Sequence, residues 1–104
     1  MRYRDALIEL GECYAGNREL TKALAVLRRA VAMDDLHEPA VRALMRLYAL
    51  DGQTHTALDL FCRLERQLEE LRALPGRRTQ SLYRSIQAGY QPSPHGLVSR
   101  PQPA

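Results

Sequence analysis

Arg42 and Arg46 stand four residues apart, a spacing that puts two guanidiniums on one face of a helix. Side by side they can hold a carboxylate or an acidic helix through charge-assisted hydrogen bonds. The competing reading is a solvated pair, with Arg42 bonded to Glu38 one turn back. The other chemically capable residues are scattered. His37, His55 and His95 fall in a cap, a turn and a tail, and none pairs at helical spacing with another ligand-type residue. Cys13 and Cys62 share no metal or redox spacing, so both are expected as buried, reduced small hydrophobes of a cytoplasmic protein. No glycine-rich phosphate loop is present, no serine has a nucleophile's setting, and no acid pair lies on an apolar face. The chain is therefore not expected to be an enzyme, to bind a metal or to carry a cofactor.

The elements that must position the arginine pair repeat every 34 residues. Ala6, Leu7, Leu10 and Tyr14 recur as Ala40, Val41, Leu44 and Tyr48. Ala23, Leu24, Leu27 and Ala30 recur as Ala57, Leu58, Phe61 and Leu64. Leu-x2-Leu-Gly-x2-Tyr followed by Ala-x3-Leu is the tetratricopeptide (TPR) pattern, with Leu7 in place of the usual Trp and Met45 in place of the second Gly. Two such copies are marginal, because helical repeats need about three units. A further capping element is expected downstream.

The spacing predicts five helices. The first runs from Arg4 to Ala15 with Leu7, Leu10 and Tyr14 inward, Gly16 as a left-handed C-cap, and Gly11 admitting a close partner helix. The second covers Arg18 to Met33, with Met33 and Met45 filling core gaps. Asp35 and Glu38 have capping-box spacing ahead of a third helix, which carries Pro39 in its first turn and ends at Asp51-Gly52. The fourth runs from a Thr54 cap to Ala73, burying a stripe that includes Phe61, Leu64, Leu68 and Leu71, with Glu65, Glu69 and Glu70 solvated. Thr79 caps the fifth, which ends near Ala88 before Gly89 and lies over the second hairpin. The predicted fold is all-α: a TPR-like right-handed array of two helical hairpins plus a fifth capping helix. It occupies residues 3–89, followed by a Pro-rich disordered tail over 90–104.

Charge restricts the partners. Of 104 residues, 1–76 carry a net charge of −1, whereas 77–104 hold four arginines and no acid. A near-neutral repeat body is not expected to bind nucleic acid directly. No apolar run approaches the length of a membrane span.

The second copy and its sequel are more specific than a generic repeat. Ala40-Val41-Arg42-Ala43-Leu44-Met45-Arg46-Leu47-Tyr48-Ala49, then Gly52, Ala57-Leu58, Phe61, Leu68-Glu69-Glu70-Leu71, Pro75, Thr79, Leu82-Tyr83 and Ile86, resemble the bacterial transcriptional activator domain of SARP-type antibiotic regulators. The resemblance covers about residues 3–88. It implies a TPR-like module that normally follows a winged-helix DNA-binding domain and mediates interdomain or subunit contacts. The two residues before Tyr3 cannot hold a winged helix, so DNA binding is not carried over, and the chain reads as a regulator's C-terminal part or a stand-alone piece.

The expected function is a non-catalytic protein-interaction module of a bacterial transcriptional regulator. Its partner would be a protein or an adjacent DNA-binding domain, with homodimerisation a further option. The alternative is a stand-alone adaptor binding a peptide or helix in its concave groove. In stacked hairpins the first helix of each pair lines that groove, so Ile8, Glu12, Arg42, Arg46 and Ala49 are the candidate contact residues.

Overall fold

The computed structural model describes residues 3–89, and those residues form five helices and no strand. They are α1 (Tyr3–Gly16), α2 (Leu20–Met33), α3 (Glu38–Leu50), α4 (Thr54–Glu70) and α5 (Arg77–Gln87). Each packs against the next in the chain, and α3 also touches α1 and α5. This central position explains why eight of its thirteen residues are buried. The all-α class agrees with the sequence reading. The proposed tail, with His95, lies outside the described residues.

The 34-residue period reappears in the turns. After α1, Arg18 takes φ 63° and the Glu19 N–H donates to the Tyr14 carbonyl. Thirty-four residues on, Gly52 takes φ 79° and the Gln53 N–H donates to the Tyr48 carbonyl. Arg72, at φ 57°, closes α4 the same way, with the Ala73 N–H on the Leu68 carbonyl. Each end is thus sealed by a left-handed residue that returns a donor to the last helical turn. Gly16 is not the C-cap expected; it is the last residue of α1. Nor does α4 reach Ala73, because the left-handed Arg72 ends it at Glu70 and leaves Leu71 exposed.

Three further expectations change. Thr54 is the first residue of α4 and makes no capping bond. Leu10 and Met33 are exposed, because nothing among the described residues covers the outer face of α1 or the end of α2. Cys13 is exposed and Cys62 half-buried, both as free thiols. Glu65, Glu69 and Glu70 do face solvent.

Gly11 is buried against α2, and a Cβ built there would lie 2.6 Å from Cγ and Cδ2 of Leu27. Leu27 is 1% exposed, between the fully buried Ala23 and Ala30, so it has no room to retreat. In the second copy Met45 stands at this position and Phe61 at that of Leu27, with the Phe61 ring against Tyr83 of α5. Gly11→Ala should gain up to about 1 kcal/mol of helix propensity. Overpacking should remove about 1–3 kcal/mol. A net loss is expected, seen as a lower urea midpoint; a raised midpoint would show that Leu27 can move aside.

Candidate protein-interaction surface

Two of the five candidate residues, Glu12 and Arg46, pair across α1 and α3, while Arg42 is tied to α5, which packs on the same α3. An Arg46 Nη2 donor reaches Oε2 of Glu12 at 3.3 Å, joining equivalent positions of the two repeat copies. The side chains keep 35% and 52% exposure, so water competes for the pair and its net stabilisation is small. Ile8 is half-buried and packs between the two parts of the core. Ala49 does not belong to the surface: it is 1% exposed, because α3 has neighbours on several sides.

Arg42 is committed inside the fold. Its Nη1 donates to Oγ1 of Thr79 at 3.1 Å, and that hydroxyl donates to Oε1 of Glu38 at 2.6 Å. The Gly76 N–H donates to the same carboxylate oxygen at 2.8 Å. Thr79 is wholly buried, yet its hydroxyl is satisfied as donor and acceptor. Burial lowers the Arg42 pKa from the usual guanidinium value, and the positive charges of Arg46 and Arg78 lower it further; Glu38 opposes them. The dominance of burial fits an anchoring role, while Arg46 retains an exposed charge.

This cluster replaces two local devices expected from spacing. Glu38 does not close a capping box with Asp35: α3 starts at a His37 N-cap without a side-chain bond, and the Glu38 carboxylate spans to α5. Thr79 does not cap α5 but sits inside it, after a Gly76 N-cap. The periodicity held a clue, since Thr79 follows Met45 by 34 residues, as Met45 follows Gly11. All three occupy one buried position in α1, α3 and α5.

The molecule so described is an all-α domain of consecutive helix pairs closed by an odd helix, with no gathering of three His, Cys, Asp or Glu among its described residues that could hold a metal. No described helix is long and apolar enough to cross a membrane. The family model of the bacterial transcriptional activator domain matches residues 2–87, and the chain belongs to that family. No curated protein and no solved structure matches it. The domain is thus associated with transcriptional activators, in agreement with the resemblance read from residues 3–88.

Proposed function

We propose that the chain is the non-catalytic protein-interaction module of a bacterial transcriptional regulator, working in the cytoplasm. It would contact an adjacent DNA-binding domain, another subunit or the transcription machinery through the α1–α3–α5 face. The observation that carries this reading is the Glu12–Arg46 pair, held across α1 and α3 in a domain of this family. An exposed pair is cheap to open, so a partner carboxylate can take Glu12's place on Arg46, and a partner cation can take Arg46's place on Glu12. Arg42 serves instead to fix α5, so only Arg46 and Glu12 of the charged candidates are available for exchange.

Crosslinking mass spectrometry on the tagged chain in its native host tests this. Crosslinks from α1, α3 or α5 to transcription proteins are expected, and Arg46→Glu should remove them without changing the melting temperature. Crosslinks confined to proteins unconnected with transcription would favour the stand-alone adaptor. Nanomolar, sequence-specific binding of a DNA duplex by the isolated chain would overturn the assignment.

A further inference from the structure

Charge is unevenly divided among the helices. The last of them, α5, carries Arg77, Arg78 and Arg84 and no acid, and all three arginines are exposed. None of them forms an ion pair with a described carboxylate. The stretches outside the described residues, 1–2 and 90–104, contain no Asp or Glu either. Among the described helices α5 packs on α3 and α4 alone. On α4, Glu65, Glu69 and Glu70 face solvent, and none of them pairs with an α5 arginine. On α3, Arg42 and Arg46 are accompanied by a single acid, Glu38.

The arginines of α3 and α5 meet at Arg42. Its Nη1 is fixed on the hydroxyl of Thr79, the residue after Arg78. Its Nε and Nη2 bond to no described residue, and neither is cut off from solvent. Burial is the first cause of its lowered pKa, and the charges of Arg46 and Arg78 add to it against the pull of Glu38. Three like charges thus crowd the seam between α3 and α5, and an anion laid on that seam would relieve them. The carboxylates at its borders already have donors. Oε1 of Glu38 accepts from the Gly76 N–H and the Thr79 hydroxyl, and Glu12 holds Arg46 from the α1 side. Arg42, Arg46, Arg77 and Arg78 outnumber Glu12 and Glu38, so the seam keeps a positive surplus.

We propose that the partner of this domain presents an acidic helical segment, and that its carboxylates lie along the α3–α5 seam on Arg46, Arg77 and Arg78, over the anchored Arg42. This rests on the reading of the α1–α3–α5 face as the interaction surface and names the chemistry that face selects. Carboxylates one helical turn apart match the spacing of Arg42 and Arg46 and can accept charge-assisted bonds from them. A protein segment fits better than a nucleic acid. A duplex would bring an unbroken row of phosphates against Glu12 and Glu38 and onto a body whose residues 1–76 carry a net charge of −1. A short acidic segment places its charges on the arginines and leaves the glutamates outside. The arginines are largely exposed, so the contact weakens in salt.

Nuclear magnetic resonance titration of the full chain tests the proposal. The probe is a blocked helical peptide with glutamates spaced one turn apart, and the same peptide with lysines is its control. At low salt the glutamate peptide should shift the amides of α3 and α5, the lysine peptide should not, and the shifts should vanish in high salt. Arg78→Glu should bind the peptide about tenfold more weakly. Arg29→Glu makes the same charge change on α2, which does not touch α5, and should bind like the wild type. Both positions are exposed, and an unchanged melting temperature verifies folding; if Arg78→Glu melts lower, Arg77→Glu replaces it. No shifts up to millimolar peptide overturn the proposal. So does an equal loss for Arg29→Glu, which would mean that only net charge counts, or a DNA duplex of unrelated sequence that binds the seam more tightly than the peptide. If the peptide fails while Arg46→Glu still removes the crosslinks to transcription proteins, the interaction face stands and its acidic partner falls.

Discussion

A chain cut after Ala73, which removes α5, should lose its cooperative melt. It should give a shallow thermal transition by circular dichroism and bind a hydrophobic dye at room temperature. Ile86 is 1% exposed and Thr79 fully buried, and Leu82 and Tyr83 are partly buried against the main core. Their loss uncovers Phe61 directly, because its ring stacks on Tyr83. Each large apolar side chain returned to water costs about 1.5–3 kcal/mol. Three or four of them approach the whole stability of a domain this size, about 5–15 kcal/mol. The polar loss adds to this. Glu38 would lose both of its donors, and Arg42 would lose its acceptor while still partly buried. A chain ending at Gly89 keeps all five helices and is the control. A sharp melt of the shortened chain at the control's midpoint would show that the two hairpins stand alone.

The repeat was legible because apolar spacing is a local property of the chain, and the helices it predicts are the helices found. What spacing does not carry is position within the array. Leu10 and Leu44 are the same residue at equivalent places, yet one is exposed and the other buried, since among the described helices α2 packs on α3 at this stripe and none covers it on α1. Spacing alone puts Ala49 on the open face for a related reason: it does not show that α3 has neighbours on several sides. Local rules also assign each polar side chain to its nearest backbone. They gave Glu38 to its own N-terminus and Thr79 to α5's, although the two meet each other across 41 residues. The left-handed turns at Arg18 and Arg72 carry no glycine to announce them. Arg18 could have been found by equivalence with Gly52, because the turn is part of the repeated unit. Of the candidate surface, the Glu12–Arg46 register was present in the sequence as one period of separation. The spending of Arg42 on Thr79 was not, because it depends on how α5 docks.

Phe61→Ala should be the most damaging single substitution, lowering stability by about 3–5 kcal/mol. Phe61 is 4% exposed, and its ring centre lies 4.1 Å from that of Tyr83, with the planes 18° apart. The truncation leaves a cavity between α4 and α5 and removes the contact that fixes Tyr83. At about 4–8 °C per kcal/mol for a domain of this size, the melting temperature should fall by at least 12 °C or so. Phe61→Leu installs the residue that the first repeat uses at this position, and it should cost much less, about 1–2 kcal/mol, because most of the apolar volume remains. The difference between the two variants measures cavity formation. The stacking itself is isolated by a double-mutant cycle of Phe61→Leu with Tyr83→Leu, in which a coupling of about 0.5–1.5 kcal/mol is expected. A coupling near zero would mean that the rings are held by burial alone. Equal losses for Phe61→Ala and Phe61→Leu would mean that α5 collapses onto the cavity, and then α5 would be a movable cover on the second hairpin and not a fixed part of the core.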